Sequence, residues 1–105
     1  LTKKKCVPCE GGVPPMTKGE SEGYLKQVKD WQLVGNKIEK DFKFKNFKKA
    51  MGFINKVADL AENEGHHPDM LIHSWNKVKI STYTHAIGGL SENDFILAAK
   101  IDQLK

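Results

Sequence analysis

The chain has four histidines, all between residues 66 and 85, and three of them form a candidate grouping: the adjacent pair His66 and His67, followed by Pro68, and His85 after a run that alternates like a β-strand. Acids stand on either side at Glu62 and Asp94. Imidazole is the side chain whose ordinary pKa lets it both give and take a proton near neutrality, so this grouping points to proton-transfer chemistry. Glu62 lies one helical turn before His66, a spacing at which a carboxylate can orient an imidazole or accept from a ligand N–H. A solvated glutamate at a helix end is the plainer alternative. Asp94 follows Ser91 by three residues, which suits a helix cap as well as a site acid. Trp75 reads first as strand packing and second as a pocket wall, and His73 as a strand or surface histidine. Metal binding by His66, His67 and His85 ranks low, because neighbouring side chains on an extended chain diverge.

These residues need elements to hold them. Residues 1–16 read as an irregular arm, and its Cys6-Val7-Pro8-Cys9 is a lone pair of thiols followed by turn-forming residues. It lacks the second pair that a zinc site would need and the strand-to-helix setting of a redox motif, so a structural or incidental role is favoured. Thr17 and Glu20 have capping-box spacing for a short helix ending near Lys29, with Tyr24, Leu25 and Val28 on its apolar side. Trp31 to Val34 and Lys37 to Phe44 read as a hairpin about Gly35-Asn36, with Ile38, Phe42 and Phe44 facing the core.

Asn46 caps the most periodic helix, in which Phe47, Ala50, Met51, Ile54, Val57, Ala58 and Ala61 form the apolar stripe. Phe53 and Leu60 lie off its centre, either widening it or marking a face for another subunit. Pro68 keeps His67 out of helical geometry, which places both histidines of the pair on an extended connection. Met70 to Trp75 and Val78 to Tyr83 are the next strands, joined near Asn76-Lys77, with Val78, Ile80, Thr82 and Thr84 pointing one way and His85 the other. A closing helix begins near Ser91 and Asp94 and carries Phe95, Leu97, Ala98, Ile101 and Leu104 inward.

The order helix, two strands, helix, two strands, helix predicts an α+β fold: a four-stranded antiparallel sheet with three helices packed on one face. A length of 105 residues with 39% apolar content fits a single domain over 1–105, small enough to gain stability by burying a face against another copy. The formal charge of +4 comes from 17 lysines and no arginine, which disfavours specific base readout in nucleic acid. No apolar run is long enough to span a bilayer, and the start lacks the apolar segment of a secretory signal, so a soluble protein of the cytoplasm is expected. An organellar or nuclear location stays open, since position 1 is not Met.

Taken together, Glu62, His66-His67-Pro68, Trp75, His85 and Asp94 closely resemble, in type and spacing, the pattern of the pterin-4a-carbinolamine dehydratases. The resemblance in element order extends over nearly all of the chain after the arm. It implies a homodimer or homotetramer that acts on a pterin without metal or organic cofactor. The implied reaction is loss of water from 4a-hydroxytetrahydropterin to give quinonoid dihydropterin, as in tetrahydrobiopterin recycling. By motif position, His66 and His85 become the acid/base pair and His67 a pterin-positioning residue that also polarises the ring; Glu62, Trp75 and Asp94 become candidate substrate contacts. Gly65, just before the histidine pair, departs from the polar or acidic residue common in relatives. The competing reading is a small dimerisation or transcriptional cofactor protein with a residual or secondary pterin site.

Overall fold

The computed structural model describes residues 16–84 and 87–104. Cys6, Cys9 and His85 therefore lie outside the described residues. The elements in chain order are α1 (Lys18–Leu25), β1 (Gln32–Val34), β2 (Lys37–Lys43), α2 (Phe47–Glu64), β3 (Asp69–His73), β4 (Lys77–Thr82) and α3 (Glu92–Leu104). The strands form one antiparallel sheet in the order β1-β2-β4-β3. Fold class and element order thus agree with the expectation from sequence.

Local chemistry accounts for the boundaries. The Thr17 and Glu20 capping box closes in both directions, at 3.0 and 3.2 Å, and satisfies backbone donors that a helix start leaves unpaired. The Thr17 backbone N–H, and then its hydroxyl, hold the Glu20 carboxyl below its ordinary pKa. Helix α1 stops at Leu25, earlier than expected, and the chain reaches the sheet through Asp30 at a φ of 64°. Gly35 has a φ of 61°, the left-handed geometry that a tight hairpin demands and that glycine adopts without steric penalty.

Ile38 and Phe42 on β2 and Val78 and Ile80 on β4 are buried in one cluster with Ala50, Phe53 and Val57 of α2 and Phe95, Leu97 and Ile101 of α3. The inner positions of the sheet therefore match their sequence alternation. The stripe of α2 is turned relative to expectation: Ala50, Phe53, Val57 and Ala61 are buried, whereas Phe47 is exposed. Aromatic packing gives the reason. Phe53 meets Phe42 at 4.8 Å and Phe44 at 4.9 Å between ring centroids, which draws its side of the helix onto the sheet, while Phe47 stands in the first turn.

The second hairpin turns at Ser74-Trp75-Asn76 rather than at Asn76-Lys77, so Trp75 lies in a turn and not on a strand. Ser74 and Trp75 both have positive φ, at 49° and 55°. Asn76 anchors this turn to the end of β2: its side chain donates to the Phe44 carbonyl at 2.9 Å, and the Phe44 N–H donates to the Asn76 carbonyl at 2.8 Å. The first half of α3 is buried on nearly every side. Tyr24 ties α1 to α3 by donating to Glu92 at 2.7 Å, and that carboxylate raises the pKa of the phenol. Among the described residues no helix is long and apolar enough to cross a membrane.

Candidate functional site

Helix α2 ends at Gly65, whose φ of 67° is the left-handed conformation that closes many helices. The Gly65 and His66 N–H groups both turn back to the Ala61 carbonyl. This reversal sends the next two side chains to different places. His66 goes inward, where its Nε2 lies 2.6 Å from Asp94 Oδ1, and its side chain keeps 11% of its exposure. His67 goes outward, where its Nε2 lies 3.4 Å from Glu62 Oε1, with exposures of 60% and 79% for the two side chains. Glu62 is thus beside His67, five residues on, because the helix ends before His66 could take the usual place four residues later.

Asp94 is fully buried, and each of its oxygens serves two neighbours. Oδ1 accepts from Thr82 Oγ1 at 2.7 Å and meets His66; Oδ2 accepts from Thr84 Oγ1 at 2.9 Å and from the Ser91 backbone N–H at 3.0 Å. Burying a carboxylate is costly unless its lone pairs are satisfied, and this one is held from β4, the segment after it, and the start of α3. Asp94 reaches back to the Ser91 N–H as a helix-capping residue and lies against the His66 imidazole as well. Nearby, Lys100 on α3 pairs with Glu64 of α2 at 2.9 Å, fixing the end of α2 against α3.

The family model for "Pterin 4 alpha carbinolamine dehydratase" matches residues 14–104, nearly all of the chain and every residue of this group. The chain belongs to that family. A relative from Nitrosomonas eutropha, provisionally named a pterin-4-alpha-carbinolamine dehydratase, is 53% identical over 105 residues, covering 99% of this chain and 92% of its own length. The mitochondrial pterin-4-alpha-carbinolamine dehydratase 2 of Arabidopsis thaliana is 47% identical over 110 residues, covering 100% of this chain and 59% of its own. Among solved structures, a transcriptional coactivator/pterin dehydratase from Brucella melitensis superposes with a TM-score of 0.80 at 33% identity, covering 86% of this chain and 97% of that one.

Within this dehydratase-family chain, the structure brings together His66 and Asp94 in one group and Glu62 and His67 in another close by in sequence. It does not bring Trp75 to them. The pairing of Asp69 with Ser81 and of His73 with Lys77 puts the Trp75 turn at the opposite end of the hairpin from Thr82, and Trp75 is 62% exposed there. His85 is the chain neighbour of Thr84, which touches Asp94 directly. Hollows of about 470, 690 and 400 Å³ lie elsewhere, lined for example by Leu33 and Leu90, by Phe44 and Lys48, and by His73 and Lys79. Among the described residues, no group of three or more His, Cys, Asp or Glu is placed to hold a metal ion.

Sequence reasoning missed Thr82 and Thr84 as members of the site. Their signal was present: they continue the inward parity of Val78 and Ile80 but replace aliphatic side chains with hydroxyls. A buried hydroxyl on a core-facing strand position needs a partner, and here that partner is Asp94.

Proposed function

We propose that this chain is a hydro-lyase that dehydrates 4a-hydroxytetrahydropterin to quinonoid dihydropterin in tetrahydrobiopterin recycling, by histidine acid/base catalysis. Family membership supports the reaction class. The observation that carries the catalytic reading is the 2.6 Å contact between His66 and the buried Asp94, which anchors an imidazole that still keeps part of its surface open.

The chemistry asks for such a group. Hydroxide leaves carbon poorly, so an acid delivers a proton to the C4a oxygen while the N5 lone pair forms the C4a–N5 double bond and water departs. A ring N–H then gives its proton to a base, leaving the neutral quinonoid product. His66 and His85 serve as this acid/base pair, with His67 positioning the pterin ring and Glu62 accepting from its N–H groups. The exposure of His67 and Glu62 suits a wall that meets the ligand, while Asp94 acts on substrate through His66. Trp75 contributes to substrate binding only if another copy of the chain brings it to the site. The exposed Met70 and Leu71 on the outer strand β3 fit the proposed homodimer or homotetramer.

A stopped-flow assay with freshly made 4a-hydroxytetrahydropterin tests the proposal. Wild type accelerates water loss, and His66→Ala and His85→Ala do so far less while keeping the fold; near-normal turnover in both variants would refute the assignment. A second reading rests on the Brucella melitensis neighbour, which is described as a coactivator as well as a dehydratase. It makes this chain a partner-binding protein with a secondary pterin site, and a stable hetero-complex recovered without any acceleration of dehydration would favour it.

A further inference from the structure

The donors around Asp94 fix where the protons lie beside His66, and the consequence for activity rests on the dehydratase reading. Each threonine hydroxyl carries one proton. Thr82 gives its proton to Asp94 Oδ1 and Thr84 gives its own to Oδ2, so the Ser91 hydroxyl, 2.8 Å from Thr84 Oγ1, is the donor in that contact. With the Ser91 N–H also aimed at it, the Asp94 carboxylate is an acceptor throughout. His66 Nε2 therefore faces two acceptors, Asp94 Oδ1 at 2.6 Å and, at 3.4 Å, the Thr82 oxygen whose proton is already committed. A nitrogen in that position has to carry a proton.

The other ring nitrogen is in the opposite situation. His66 Nδ1 has no hydrogen-bond partner among the described residues, and no buried side-chain nitrogen or oxygen among them lacks one, so Nδ1 is open to solvent. We propose that Thr82 and Thr84 are positioning residues that lock the neutral His66 as the Nε2–H tautomer, so that Nδ1 is the atom that exchanges protons with the pterin. Thr82 acts by filling one side of the Nε2 environment with an acceptor, and Thr84 by pinning the second carboxylate oxygen so that Asp94 cannot rotate. The branched threonine side chain suits this task, because its stiff χ1 aims the hydroxyl.

The test uses the full chain with 15N-labelled histidine, and compares wild type with Thr82→Val, Thr84→Val and the conservative Thr82→Ser. The imidazole nitrogen shifts of neutral His66 should show a protonated Nε2 and an unprotonated Nδ1 in wild type, and a mixture of tautomers in Thr82→Val. In the same variant kcat should fall by about tenfold with little change in KM, the scale typical of losing an outer hydrogen-bond partner, and Thr82→Ser should recover most of it. Thr84→Val should show the same changes in weaker form. A wild-type proton on Nδ1, or a Thr82→Val protein with unchanged tautomer and kcat, overturns the assignment. A wild type with the Nε2–H tautomer but no dehydration supports the tautomer assignment and counts against the dehydratase reading instead. If valine variants unfold, Thr82→Ser and the wild-type spectrum still decide the matter.

Discussion

His66 keeps 11% of its side-chain exposure and contacts a carboxylate that is fully buried, whereas His67, the next residue, keeps 60% and faces a carboxylate that is 79% exposed. The two have the same side chain and the same kind of partner, and the difference lies in the medium around each pair. Water screens the outer pair, so its interaction is worth roughly 0–1 kcal/mol and weakens with salt. The inner pair sits where an unmatched charge is expensive, so its geometry is enforced by every neighbour that satisfies Asp94. An acid/base group benefits from the second setting, because a fixed imidazole meets its substrate in one orientation. A ligand-contacting group benefits from the first, because it must be reachable. The left-handed turn at Gly65 is what allows adjacent residues to enter such different surroundings.

The contrast can be broken most severely at Asp94. Asp94→Ala leaves Thr82, Thr84, the Ser91 N–H and His66 without their shared acceptor, and urea denaturation should show a loss of about 3–5 kcal/mol, the range seen when one member of a buried pair is removed. Next comes the chemistry: His66→Ala should lower the dehydration rate by about 10²–10⁴-fold, the usual contribution of a general acid or base, while His67→Ala should act mainly by raising KM. Equal effects on kcat from both alanine variants would erase the proposed division of labour. A smaller change is expected at the turn itself. Gly65→Ala meets open space but has to keep a positive φ, and thermal unfolding should report a cost of about 1–2 kcal/mol. The smallest effect belongs to Glu62→Gln, which should shift stability by less than about 1 kcal/mol, with the shift fading in high salt. A larger, salt-insensitive loss there would mean that the outer pair is buried in the assembled protein.

Both groups were partly legible before the fold was known. His66, His67, Glu62 and Asp94 stood out by residue type and spacing, and helix caps at Thr17 and Asn46 appeared where their side chains announced them. Trp75 was misplaced because an aromatic after Met70 to His73 continues a strand pattern; anchoring of Asn76 to Phe44 shifts the turn back and puts Trp75 in it. Periodicity leaves Phe53 open between widening the apolar stripe and facing another subunit, and the rings of Phe42 and Phe44 pull it into the core. The one-turn spacing sets Glu62 toward His66, and the helix end puts it beside His67 instead.

Alone, the sequence determined what depends on near neighbours: which segments are helical or extended, where the turns need glycine, and which histidines and acids occur at the family's spacing. Those properties follow from steric and capping effects that act over a few residues. Which imidazole lies against Asp94, and which hydroxyls hold that carboxylate, was decided by the tertiary structure. The contacts of Asp94 join residues 28, 12 and 10 positions apart, and such groups meet only when the packing of β4 and α3 against the end of α2 excludes water from the space between them.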